Sequence, residues 1–327
     1  MAEITFLKAI REGIRDEMER DASVFVLGED VGAKGGVFGV TEGLQNEFGE
    51  WRVLDSPLAE SLIAGVAVGA ACNGMRPIAE IQFQDFILPA VDQIISEAAK
   101  FRYRSNGDWN LPMVVRAPFG GGVHGALYHS QSLEAIFCHV PGLRVVAPST
   151  PYDAKGMIVS AIRDPDPVLY FEHKRAYRAI KGEVPDGEYT VPLDGARIAR
   201  AGADIAVFTY GMMVHTVLEA AERMVPAGFE CEVVDLRSLR PLDRDAIVAS
   251  AKKCGKVLVA QEANLAVSVG SEVAAIIAEE CFEYLDAPVM RLGGPEIPAM
   301  PYAPPLERFY LQTPDKVEAA LRALAAY

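Results

Sequence analysis

The stretch "PIAEIQFQDFILPAVDQIISEAAKFRYRS", residues 77–105, decides how the chain is built. Its first seven residues are mostly apolar and too few for a stable helix, so 77–83 reads as a strand covered on both faces, a member of a parallel sheet. Beyond Pro89, the residues Val91, Ile94, Ile95 and Ala98 recur at helical spacing with polar residues opposite, which predicts a helix over 90–105. A buried strand followed by a covering helix is the unit of an α/β fold. The same alternation runs outward in both directions, with strands at 23–30, 113–119, 144–150 and 168–173. "LIAGVAVGAACNGM", 62–75, is a helix of small residues that has to pack closely on a neighbour.

The rhythm breaks over 181–200, where Gly, Pro and acidic residues gather, and the connection is placed at 186–200. It then resumes with strands at 203–211, 231–239 and 256–263 and helices over 212–226, 243–253 and 270–284. A last helix follows, capped by Thr313 with Pro314 in its first turn. The expected architecture is α/β with two domains, 1–185 and 201–327. A chain of 327 residues is long enough to give each domain its own core.

Charge and composition narrow the function. With 31 basic and 45 acidic residues the net charge is −14, a surface that repels nucleic-acid phosphates and accepts a basic protein partner. The five cysteines are odd in number and scattered without a CxxC, against both a disulfide framework and a zinc site. No apolar run reaches the roughly 18–20 residues of a membrane helix, and the charged N-terminus lacks a signal peptide's apolar centre, so a cytoplasmic location is expected.

Three segments could carry chemistry. Ser56-Pro57 looks like a helix start, which puts Glu60 near the N-terminus of a helix made of Ala and Gly. That carboxylate either serves the helix dipole or is a tuned acid–base group. Gln82, Phe83, Gln84, Asp85 and Phe86 stand at the end of a strand; they are core, or they form an aromatic platform where ligands of parallel sheets settle. "HGALYHSQS", 124–132, follows Gly120-Gly121-Gly122 and reads as a loop that something large can approach. His124 and His129 lack further ligands at metal-binding spacing, with Glu134 the nearest carboxylate. A histidine on such a loop is either solvated or a general acid/base. No turn has the glycine pattern of a nicotinamide-binding fold, so an oxidoreductase of that kind has weak support.

Taken in order, "VLGEDVGAKGGVFGVTEGL", "LDSPLAES", "PIAEIQFQDFILPAVDQI", "AAKFRYRS", "HGALYHSQSLEA", "STPYDAKG", "EVVDLRSLRPLD" and "VEAALRAL" resemble one family over essentially the whole chain. It is the β subunit of the thiamine-diphosphate-dependent decarboxylating component of 2-oxo acid dehydrogenases, closest to the branched-chain type. The resemblance implies a transketolase-type pyrimidine-binding domain and a smaller transketolase-type C-terminal domain. It implies an α₂β₂ heterotetramer whose α subunit holds the diphosphate and Mg2+. In agreement, this chain has no Gly-Asp-Gly followed by the expected Asn.

By the same resemblance, Glu60 matches the glutamate that hydrogen-bonds the aminopyrimidine, making the ring's amino group basic enough to activate the cofactor. Phe86 matches the stacking aromatic, with Phe where branched-chain relatives usually have Tyr, and Leu58 and Gln82 line the pocket. His129 matches the histidine that transfers a proton as acyl passes to the lipoyl arm of the acyltransferase component; His124 has no such role and is taken as loop scaffolding. A monovalent cation, K+ in relatives, corresponds to Leu111, Met113, Val114, Ala161, Ile162, Asp164 and Asp166. The acidic stretch Glu279, Glu280, Glu283 and Asp286 lies where relatives receive the acyltransferase's basic subunit-binding domain, and is otherwise a solvated helix face. The rival readings are a pyruvate or acetoin dehydrogenase β subunit and, outside enzymes, a catalytically silent assembly subunit.

Overall fold

Val, Ile and Leu in unbroken runs need cover on both sides, and the chain supplies it with helices laid over parallel strands. The computed structural model describes residues 2–327 and divides into two compact units. The first runs through Phe119 and resumes at Ile136–Leu193; the second takes Gly120–Ala135 and Asp194–Tyr327.

In the first unit the strands are β1 (Ala2–Thr5), β2 (Val24–Gly28), β3 (Val53–Asp55), β4 (Arg76–Glu80), β5 (Val114–Phe119), β6 (Arg144–Val146), β7 (Val168–His173) and β8 (Lys181–Val184). Strands β3, β2, β4, β5, β7 and β6 lie side by side in that order, all parallel. Every residue of β2, β5 and β7 is buried, as continuous apolar strands require. β1 and β8 form a separate antiparallel ribbon. The first helix, Phe6–Arg20, is capped by the Thr5 hydroxyl, which accepts from Lys8 N at 3.2 Å. It buries Phe6, Ile10, Ile14 and Met18 and packs on the helix Pro151–Arg163.

Two expectations are corrected here. The strand read over 77–83 ends at Glu80, and the helix read over 90–105 is not one α-helix. It is a 3₁₀ turn at Gln84–Ala90 containing Pro89, a π turn at Asp92–Glu97, a 3₁₀ turn at Ala98–Lys100 and a short α-helix at Phe101–Arg104. Proline lacks the amide an α-helical register needs, and the wide turn that follows takes up the offset. The apolar spacing still buries Ile94 and Ala98.

The floor of the first unit carries a buried charge cluster. Arg116 on β5 is fully buried and donates from Nε and Nη2 to the two oxygens of Glu172 on β7, at 2.6 Å each. Its Nη1 donates to Glu80 at the end of β4, also at 2.6 Å. The Tyr177 hydroxyl donates to Glu172 as well. Burial works against the Arg116 charge, but the two carboxylates outweigh it and keep the guanidinium protonated; burial pushes the Glu80 carboxyl up against the pull of Arg116.

In the second unit the strands are β9 (Arg197–Arg200), β10 (Ile205–Thr209), β11 (Cys231–Asp235), the short β12 (Ser238–Arg240), β13 (Val257–Asn264) and β14 (Met290–Gly294). A five-stranded sheet has the order β14-β13-β10-β11-β9, parallel except for the edge strand β9. So the end of the stretch read as a connection pairs with β11 and closes a sheet edge. Met213, Val217, Ala221 and Met224 from one helix pack with Val317, Leu321 and Leu324 of the last helix to form the core. Thr313 caps that last helix, its hydroxyl accepting from Lys316 N.

Glu134 is buried in this unit and accepts from the Tyr210 hydroxyl, while its Oε2 has no hydrogen-bond partner among the described residues. Burial pushes its carboxyl from the ordinary 4.5 to about 7, opposed by the Tyr210 hydrogen bond and assisted by the Glu262 charge.

Two stability outcomes follow from these clusters. Arg116→Met strands two buried carboxylates and is expected to cost about 3–5 kcal/mol, read as a lower denaturant midpoint at unchanged slope. Between pH 4.5 and about 7 folded Glu134 keeps a proton that the unfolded chain has lost, so native stability falls as pH rises through that window. Above it the full penalty, on the order of 3 kcal/mol, is in place. Glu134→Gln removes the titration, so urea unfolding at pH 5.5 and pH 8 should show the variant gaining on the parent at the higher pH.

Candidate active site

Glu60 is the first residue of the helix Glu60–Cys72, whose N-cap, Ala59, offers no side-chain cap. The helix therefore starts later than Ser56-Pro57 suggests, and the Glu60 carboxylate is the anionic group of its first turn. Small residues let this helix lie close against the next segment: Ser61 Oγ donates to Pro89 O at 3.0 Å, and Gly65 faces Gln93. The helix that the half-buried Glu60 opens thus packs on the 3₁₀ turn that carries Phe86.

The surroundings of Glu60 are polar below and apolar around. The Glu29 carboxyl, just past β2, is pushed up by burial and further by the charges of Glu60 and Asp30. Gln82 Nε2 donates a long bond to Glu29 O at 3.5 Å. Ser56 Oγ is buried with no hydrogen-bond partner among the described residues, a donor held in reserve. Leu58 is 80% exposed, and Leu62 and Val66, one turn apart, also face outward. The helix itself is built almost wholly of apolar and small residues, and Leu62 and Val66 leave an apolar stripe of it uncovered.

Phe86 meets Phe83 edge-on at 5.7 Å between ring centres, Phe83 meets Phe38 at 5.4 Å, and Phe38 meets Tyr177 at 5.2 Å. Tyr177 in turn bonds Glu172. A relay of rings therefore connects the half-exposed platform to the Arg116 cluster. Phe83 and Phe86 are both half-buried, and Phe83 makes edge contacts with Phe38 on one side and Phe86 on the other. Glu29, Arg116 and Glu172 escaped the sequence reading; a carboxylate directly after an apolar strand was the one available signal, at Glu29.

His129 belongs to the second unit, on the loop Gly120–Ala135, just past a 3₁₀ turn at Ala126–Tyr128. The neck of the loop is closed by Gly120 N donating to Gln131 O at 3.0 Å. Gly121 N donates to Glu262 at 2.6 Å, while Gly122 N and His124 N donate to Glu307 Oε1 at 3.1 and 3.2 Å. His124 Nδ1 reaches Glu307 Oε2 at 2.6 Å. His124 and Ala126 adopt left-handed backbone, φ 57° and 58°, a cost of about 1–3 kcal/mol each that the surroundings must offset. Gly125 between them has no alternative, because a Cβ there would lie 2.7 Å from His129 O. Val123, Leu127 and Tyr128 are exposed around this turn.

The carbonyl set matched to a cation is largely engaged. Arg76 Nη1 donates to Ile162 O at 2.7 Å and Asp164 O at 3.3 Å, and Met113 O accepts from Val168 N. The Asp164 carboxylate pairs with Arg144 at 3.0 Å, and Asp166 pairs with Arg102. Leu111 N bonds Pro165 O; Val114 lies in β5 and Ala161 in the helix Pro151–Arg163. Among the described residues no group of three or more His, Cys, Asp or Glu side chains is arranged to hold a metal.

The family model described as the transketolase pyrimidine-binding domain matches residues 2–180, and that of the transketolase C-terminal domain matches 194–317. The 2-oxoisovalerate dehydrogenase subunit beta of Bacillus subtilis (strain 168) is 62% identical over 327 residues, covering 100% of both chains. The pyruvate dehydrogenase E1 component subunit beta of the same organism is 49% identical over 296 residues, 90% of this chain and 91% of that one. Among solved structures, a split-gene transketolase described as an inactive beta4 tetramer superposes with TM-score 0.80 at 23% identity, covering 99% of this chain and 98% of that one. Full-length identity at this level, with the pyrimidine-binding match spanning Glu60 and Phe86, is decisive: the chain belongs to the β subunits of 2-oxo acid dehydrogenases, built from transketolase-type pyrimidine-binding and C-terminal domains.

Proposed function

We propose that the chain is the β subunit of a branched-chain 2-oxo acid dehydrogenase, active in an α₂β₂ assembly that shares thiamine diphosphate between its subunits. The observation that carries this reading is the Glu60 carboxylate at the start of a helix that packs on the turn carrying Phe86. Identity of 62% to a 2-oxoisovalerate enzyme subunit, against 49% to a pyruvate one, favours the branched substrate. Domain limits of 1–185 and 201–327, with 186–200 as the connection, belong to the same reading.

A carboxylate, a half-exposed ring and an unpartnered buried hydroxyl fit the aminopyrimidine half of the cofactor; the chain offers no counterpart for its diphosphate, which with Mg2+ falls to the α subunit. When bound, thiamine diphosphate supplies a carbon nucleophile and the electron sink into which the carboxylate bond breaks. Glu60 would hold a proton at the ring nitrogen, and Phe86, Leu58 and Gln82 would line the pocket that receives the ring. The uncovered stripe Leu62–Val66 and the exposed Val123, Leu127 and Tyr128 are surfaces for the partner chain, which excludes water from the site.

In the overall reaction a 2-oxo acid and an oxidised lipoyl group give carbon dioxide and S-acyl-dihydrolipoyl. The disulfide takes the electron pair that leaves the substrate, and its second sulfur needs a proton, which His129 supplies. Glu279, Glu280, Glu283 and Asp286 receive the basic subunit-binding domain of the acyltransferase component, although Arg244 already pairs with Glu279 and Glu280. A K+ ion at Asp164 would have to displace Arg76 from its carbonyls, and no step depends on it. No helix among the described residues is long and apolar enough to cross a membrane, and we place the enzyme in the cytoplasm.

In the α/β complex, Glu60→Gln is expected to lower decarboxylation of 2-oxoisovalerate by about 10²–10⁴-fold at unchanged assembly, measured by carbon dioxide release. An unchanged rate would support a silent assembly subunit instead. The same complex should prefer 2-oxoisovalerate to pyruvate by at least about tenfold in kcat/KM. A preference for pyruvate reverses the substrate assignment.

A further inference from the structure

The loop Gly120–Ala135 is held at one end by buried carboxylates from far along the chain and at the other by its own buried Glu134. Glu307 is 3% exposed, on the seven-residue helix Pro304–Tyr310, and all three bonds of its carboxylate go to this loop: Gly122 N, His124 N and His124 Nδ1. Glu262, on β13, takes Gly121 N at 2.6 Å. At the other end Glu134 is tied to Tyr210. Between these anchors lies a turn with two left-handed residues and a glycine pressed against His129.

A loop that only had to connect two elements would relax this turn into solvent. Burying carboxylates whose hydrogens come from loop amides is costly unless the loop stays in place. Both observations have one explanation if the conformation of the turn matters to the residue it carries.

We propose that Glu307 and Glu262 are positioning residues for His129, fixing the loop so that the imidazole meets the lipoyl sulfur. The inference rests on the proton-transfer role read for His129. It also gives His124 a function as the third contact of the Glu307 anchor, beyond passive scaffolding. The reaction then separates into a decarboxylation half, served by Glu60, and an acyl-transfer half, served by a clamped His129.

The experiment measures both halves in the α/β complex: decarboxylation of 2-oxoisovalerate with an artificial electron acceptor, and acylation of a lipoylated lipoyl domain. Glu307→Gln and Glu262→Gln are expected to slow acylation by about 10–100-fold, the scale of a 1 Å misplacement, and leave decarboxylation within about twofold. Amide exchange at Gly122 and His124 should quicken in Glu307→Gln. If that variant does not assemble, His124→Ala, which leaves the Glu307–amide bonds in place, should show the same split on a smaller scale. Equal loss of both halves, or no loss in either, overturns the positioning role. His129→Gln is the control: full acylation by that variant overturns the role of His129 and this inference with it. Loss of acylation in His129→Gln with normal acylation in Glu307→Gln overturns the positioning role alone.

Discussion

Arg116 fixes three adjacent strands with one side chain. A parallel sheet holds its strands by backbone bonds that say nothing about what stands at their carboxyl ends, and here Glu80, Arg116 and Glu172 add a lateral tie across β4, β5 and β7. One guanidinium serves two carboxylates, and the Tyr177 hydroxyl adds a further hydrogen bond to Glu172. Such a cluster is poor as a source of stability compared with apolar filling. Its value is registry: Tyr177 supports Phe38, Phe38 supports Phe83, and Phe83 meets Phe86.

The contrast between Glu80 and Glu60 shows how environment divides labour among like side chains. Glu80 is sealed against a cation and has a structural task. Glu60 stands at a helix start, half-buried, with a second carboxylate, Glu29, close enough to feel its charge. A third group, Glu307, gives one oxygen to two backbone amides and the other to the His124 ring. Composition alone makes these residues equivalent; the number and kind of donors around each does not.

The fold was legible where burial is two-sided. Strands such as β2, β5 and β7 announce themselves because every position is apolar or paired, and the Thr313–Pro314 start of the last helix follows from local chemistry. The segment after β4 misled because apolar spacing survives when an α-helix is replaced by 3₁₀ and π turns; periodicity reports the inward face, not the hydrogen-bond register. β9 and β14 were hidden by Arg and Gly at sheet edges, where alternation is weak. Within the site, Glu60 and Phe86 stood out by position and by resemblance. Arg116, Glu262 and Glu307 did not, since each acquires its meaning only from partners dozens to nearly two hundred residues away.

That separation bears on how the molecule is made. Gly122 and Glu307 are 185 positions apart, and Gly121 and Glu262 are 141. As the ribosome releases the chain from its N-terminus, the sheet strands through β7 emerge with the histidine loop already synthesised but its anchors still to come. The loop waits, unfastened, until almost the last helix has been translated. A product truncated before the Pro304–Tyr310 helix would carry every residue of the Glu60–Phe86 segment and yet lack Glu307, the acceptor for the loop amides of Gly122 and His124.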